Sequence, residues 1–164
     1  MYYSSKVDSD ATVYIDVNGV ELYNFWREQK SFILQLPKYK VRMIVQNPFS
    51  PHFSDMMKNE IMNEESAKDN ILKLTREVKR LNESGNNNIE IRWMSFPASI
   101  TMTRVNNQLY VRARLINATH RDERHFFEKY ITEDKPFSTY IQYFEDAWEK
   151  FETDLNAQSK FGEL

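Results

Sequence analysis

IEIRWMSFPASITMTRVNNQLYVRARL, residues Ile89 to Leu115, reads as two or three consecutive strands, with Asn106-Asn107 at a tight turn between two of them. Beyond the turn, Leu109, Val111, Ala113 and Leu115 alternate with Tyr110, Arg112, Arg114 and Ile116. A strand sends successive side chains to opposite faces, so the first set is expected in a core and the second on the other face. Arg112 and Arg114 then leave the sheet on one side, and Arg104, on the neighbouring strand, joins them where the register allows. A guanidinium fork binds carboxylate or phosphate through two hydrogen bonds, so such a cluster implies an anionic partner or internal ion pairs.

Working outward, Thr12 to Asp16 reads as a first strand. A helix follows from Val20 to Leu36, ended by Pro37. The apolar run Val41 to Gln46, stopped by Asn47-Pro48, reads as a buried second strand. A short helix is expected from Ser50 or Ser54 to about Met62. A longer one spans Ser66 to Leu81, with Gly85 as its C-terminal cap. After the central strands, Phe126 to Ile131 adds one more. The clearest helix starts near Pro136 and carries Phe137, Phe144, Trp148 and Leu155 in one apolar stripe. The order β-α-β-α-α-β-β-β-β-α predicts an α/β fold, a single mixed sheet flanked by helices. Residues 12–155 form the one expected domain, between a disordered N-terminus, 1–11, and a C-terminal tail, 156–164.

Composition removes several function classes. The chain has no cysteine, which rules out disulfides, thiolate catalysis and zinc fingers. Its three glycines, Gly19, Gly85 and Gly162, are far apart, so neither a P-loop nor a dinucleotide fingerprint can be built. A net charge of −2 speaks against general nucleic-acid binding, and no lysine lies between Lys79 and Lys129. The N-terminus lacks signal-peptide character and no apolar run reaches membrane-span length, so a cytoplasmic protein without membrane contact is expected.

The remaining candidates are sparse. His52, in NPFSPHF after the second strand, occupies the carboxyl-end position where open α/β sheets bind ligands; its plain reading is a solvated loop residue. Asp16 is expected at the equivalent position after the first strand. Capping the next helix is the favoured reading there, and a role as base or arginine partner is the alternative. His120 and His125 are five apart, a spacing poorly suited to sharing a metal. Glu133-Asp134-Lys135 matches a nuclease-like E-x-K spacing but directly precedes Pro136, so a solvated helix-entry loop is expected. No catalytic residue, metal or cofactor is assigned.

Three segments, TVYIDVNGVELYNFW, YKVRMIVQNPFSP and SFPASITMTRVNNQLYVRARL, resemble the phospholipase D-like superfamily. The likeness is to its divergent, non-catalytic form, found as a C-terminal domain in bacterial regulators. Catalytic members carry H-x-K followed, after four residues, by D; their histidine is the nucleophile and their lysine holds phosphate. On this hairpin the corresponding slots hold Ser99, Thr101 and Asn106, so the resemblance implies the scaffold without the phosphodiesterase activity. The expected function is a non-enzymatic ligand-sensing or protein-interaction domain, with a small anionic ligand, a protein or a second copy as partner. The alternatives are a phosphodiesterase or nuclease with another residue set, and a nucleic-acid-binding accessory protein. Arg104, Arg112, Arg114, Asp16 and His52 form the candidate anion-binding set.

Overall fold

The computed structural model describes residues 11–59, 62–85, 88–96, 100–113 and 128–150. Arg114, Ser99, His120 and His125, both expected terminal segments up to residue 10 and from 156, and the last expected residues of the domain lie outside them. The described elements are β1 (Val13–Asn18), α1 (Tyr23–Gln35), β2 (Tyr39–Gln46), α2 (Phe53–Asn59) and α3 (Glu64–Glu83). They continue with β3 (Ile89–Met94), β4 (Ile100–Val105), β5 (Gln108–Ala113), β6 (Glu128–Ile131) and α4 (Lys135–Lys150). This is an α/β fold with one mixed six-stranded sheet in the order β3-β2-β1-β4-β5-β6. β1, β2 and β3 run parallel, whereas β4, β5 and β6 continue from β1 in antiparallel pairs. Among the described residues, no helix is long and apolar enough to cross a membrane.

The parallel half is buried on the α1–α3 face and at its carboxyl end on the other, whereas Tyr14, Lys40 and Glu90 near its amino end are exposed. On one face, Val13, Ile15 and Val17 of β1, Val41, Met43 and Val45 of β2, and Ile89, Ile91 and Trp93 of β3 form a core. Trp26 and Ile33 of α1, Phe53 and Met57 of α2, and Ile71 and Leu74 of α3 complete it. On the other face, Ile44, Met94, Met102, Leu109 and Val111 pack against Phe137, Phe144 and Trp148 of α4. The stripe read in the last helix is therefore its buried face, with Phe144 fully buried and Trp148 7% exposed.

Local chemistry sets the element ends. The side chain of Asn63 accepts from Ser66 N at 2.9 Å and caps α3, with Glu64 and Glu65 in the first turn favoured by the helix dipole. That places the start before Ser66, the expected first residue, because asparagine supplies the cap oxygen. At the other end Gly85 takes φ 97°, a left-handed conformation that glycine adopts without steric cost. The β4–β5 turn puts Asn106 at φ 51°, where asparagine is among the best tolerated side-chain-bearing residues. Asn106 also clamps the hairpin to β1: its N–H donates to Tyr14 O at 2.9 Å, and its Oδ1 accepts from Tyr14 N at 2.8 Å.

α1 corrects one expectation. Leu22 stands at its N-cap position and its side chain makes no capping hydrogen bond; Glu21 Oε2 instead accepts from Tyr23 N at 3.3 Å. Asp16 lies inside β1 and not after it, because β1 runs on to Asn18. Backbone pairing with β2 continues even further, through Gly19 N to Ile44 O and Gln46 N to Val20 O. Asp16 is therefore a strand residue with its side chain on a sheet face, remote from any helix-capping role.

Candidate functional site

Register brings four charged residues into a row. Glu90 of β3 pairs with Arg42 of β2, Arg42 with Asp16 of β1, and Asp16 with Arg104 of β4. Directly paired positions point to the same face, so the signs alternate across four neighbouring strands on the α4 side. The row continues into Leu109 of β5 and Tyr130 of β6. It thus passes from charged to apolar where β5 and β6 contribute the α4 core.

Asp16 is the hub. Its side chain is 3% exposed, and its two oxygens are divided between Arg42 Nε at 2.7 Å and Arg104 Nη1 at 2.9 Å. A buried carboxylate is costly unless it is paired and hydrogen-bonded, and here both conditions hold. Arg42 spends its remaining fork on α4. Nη1 and Nη2 donate to the two carboxylate oxygens of Glu145 at 2.8 and 2.7 Å. The guanidinium also lies over the rings of Phe144 and Trp148, 5.0 and 5.4 Å from their centroids. Burial pulls the Arg42 pKa down, but the hydrogen bonds to Glu145 and Asp16 outweigh it and leave the pKa raised. The hydrogen bond from Arg42 holds Glu145 below the usual carboxylate range against the opposing effect of burial.

Arg92, one pair further along β3, stacks over Trp148 at 4.0 Å and donates through Nη1 to the carbonyl of Trp148. Its Nη2 is 3.8 Å from Glu90, beyond hydrogen-bond range, and its buried Nε has no hydrogen-bond partner. Arg104 donates its Nε to Asn106 O at 2.9 Å, so the hairpin turn holds the side chain that reaches Asp16. These groups wall a cleft of about 560 Å³ between α4 and the amino-terminal half of the parallel strands. Lys40, Tyr14 and Asn88 lie at its rim.

The geometry sorts the sequence candidates. Arg104 and Asp16 meet in this cleft. Arg112 does not join them: the two-residue turn pairs Val105 with Gln108, so Arg104 faces Leu109 while Arg112 pairs with Thr101 on the opposite face. The expected clustering of Arg104 with Arg112 is thereby corrected, and Arg114 lies outside the described residues. His52 is exposed in the loop after β2, at the carboxyl ends of the strands, and takes no part in lining the cleft at their amino-terminal half. Thr101 is carried to the face away from the cleft, and Asn106 serves the turn. Asp134 is exposed before α4, where its Oδ2 accepts from Ile131 N, consistent with the helix-entry reading. Among the described residues, no group of three or more His, Asp or Glu side chains is arranged to hold a metal ion.

Arg42, Arg92 and Glu145 were not among the sequence candidates. A usable signal existed for the first two. Each is an arginine inside an apolar strand segment, VRMIV and IRWM, where a charge needs a partner of opposite sign. Asp16, alone in VYIDV, is the matching acid. Glu145 offered no such signal, since a glutamate between Phe144 and Asp146 on a helix looks solvated.

Comparison with protein-family models, with curated proteins and with solved structures finds no match to this chain.

Proposed function

We propose that this chain is a non-enzymatic ligand-sensing or protein-interaction domain, on a degenerate phospholipase D-like scaffold, that takes a small anionic ligand in the arginine-walled cleft. The observation that carries the reading is the convergence of Arg42, Arg92 and Arg104 on one concave space of about 560 Å³, within the range of ordinary small-molecule sites. Guanidinium groups this close need anions between them, and Asp16 and Glu145 satisfy only part of their donor capacity. The scaffold reading rests on the mixed sheet and element order, together with the three segments that resemble that superfamily. The non-enzymatic reading is supported by Thr101 and Asn106. Neither supplies a titrating nucleophile near neutral pH, and neither side chain is part of the cleft lining.

Thermal unfolding with added anions tests this. A ligand at one hundred times its Kd stabilises by about 2.7 kcal/mol, which raises Tm by on the order of 5 °C or more in a domain of this size. Small organic acids, phosphate and sulfate are compared with sodium chloride at matched ionic strength. Arg104→Ala, which leaves Asp16 paired to Arg42, is expected to remove the rise. If no anion exceeds the chloride control, or if the variant responds like the parent, the cleft is not the binding site.

A further inference from the structure

Resting on that reading, we infer that the cleft selects a singly charged carboxylate with an uncharged, ring-bearing body and discriminates against polyphosphates. The inventory of its walls leads there. Four cationic side chains, Lys40, Arg42, Arg92 and Arg104, face three carboxylates, Asp16, Glu90 and Glu145, a surplus of one positive charge. A ligand carrying one negative charge balances that surplus. A triphosphate would bring its further charges against the three carboxylates in a partly desolvated space, where repulsion is strongest.

The donors still available are few, a number that suits one carboxylate. All three nitrogens of Arg42 are committed to Asp16 and Glu145. Arg104 has used Nε and Nη1, and among the described residues its Nη2 makes no hydrogen bond. Arg92 keeps Nη2, too far from Glu90 for a hydrogen bond, beside an unpartnered buried Nε. Lys40 is exposed at the rim and makes no hydrogen bond or ion pair among the described residues. A carboxylate needs two or three such donors; a chain of phosphates needs more than the cleft has left.

Size and lining argue for the body. A volume of about 560 Å³ leaves most of the cleft empty once a bare anion is seated. Beside that space lies the ring of Tyr14, which is 46% exposed, while the indole of Trp148 behind it already carries Arg92. An exposed phenol ring favours a planar apolar body over a compact inorganic ion.

The probes are benzoate, acetate and inorganic tripolyphosphate, added to the full chain at matched ionic strength, with Tm and isothermal titration as readouts. Benzoate is expected to raise Tm by about 2 °C or more, acetate by less, and tripolyphosphate not at all. Arg104→Gln is expected to abolish the benzoate effect, and the exposed Lys40→Ala to weaken benzoate binding several-fold in titration should Arg104→Gln fail to fold. A larger shift with tripolyphosphate than with benzoate overturns the ligand class while leaving an anion site in the cleft. Equal responses to acetate and benzoate overturn the ring-bearing body. The absence of any shift with benzoate, acetate, tripolyphosphate, phosphate or sulfate overturns both this inference and the binding function beneath it.

Discussion

Asp16 connects three elements through one carboxylate: its own strand, β2 through Arg42, and β4 through Arg104. Because Arg42 passes the connection on to Glu145, the same carboxylate helps to hold α4 against the sheet. Removing it leaves two guanidinium groups facing each other without their shared anion, in a space that water reaches poorly. Breaking a buried ion pair by deleting one partner typically costs about 3–5 kcal/mol. Asp16→Ala is therefore expected to lower unfolding free energy by an amount in that range, read by urea denaturation at neutral pH; a loss under about 1 kcal/mol would show that Asp16 is not the hub. The site was partly legible at this scale. The alternation beyond Asn107 correctly assigned Leu109 and Val111 to the core, and they are 0% and 2% exposed. Placing Arg104 relative to Arg112 required the register of the turn, which depends on the pairing of Val105 with Gln108. A one-residue difference in pairing reverses the face of every side chain, so strand periodicity alone could not decide it.

Among the elements, α4 is the one whose docking joins the apolar core to the cleft. Phe137, Phe144 and Trp148 bury its apolar stripe, while Glu145, between two of them in sequence, reaches Arg42. Truncating Trp148 removes a buried indole and the platform beneath Arg92, so Trp148→Ala is expected to cost about 3–5 kcal/mol in equilibrium unfolding. The tie through Glu145 is pH-dependent with a definite sign. Its pKa in the folded protein is lowered, so its contribution is fully present above the unfolded value, about 4.3, and is lost as pH falls through the folded value. With its side chain 37% exposed, solvent screening limits the pair to about 0.2–1 kcal/mol. Glu145→Gln is expected to be less stable than the parent at neutral pH, and the gap should close below roughly pH 4.3; a gap that persists or widens in acid would exclude this linkage. Element order was legible because periodicity is strong in α3 and α4, and because apolar residues predominate in the six- to eight-residue strands β1, β2 and β3. The first boundary was misread because the charge of Asp16 suggested an ending. In the fold that charge is neutralised by neighbours far away in sequence, which no local pattern reveals.

At the scale of the molecule, the two cores share one sheet. β2 contributes Val41, Met43 and Val45 to the α1–α3 face and Ile44 to the α4 face, so neither side can separate without disturbing the same strand. The central pairing of β1 with β4 joins Ile15 to Val105, residues far apart in the sequence. Such shared, long-range pairing favours a single cooperative transition over stepwise loss of the two faces. The tryptophans allow this to be measured, since Trp26 and Trp93 lie in the α1–α3 core and Trp148 in the α4 core. In a Trp148→Phe variant, fluorescence reports the first face; in a Trp26→Phe, Trp93→Phe variant it reports the second. Within each variant, fluorescence and far-ultraviolet circular dichroism should give the same urea midpoint and the same slope. A fluorescence transition of Trp148 that precedes loss of the sheet signal would show α4 detaching on its own. The charged row and its cleft would then belong to a docked helix in equilibrium with an undocked one, and ligand affinity would fall by the fraction undocked.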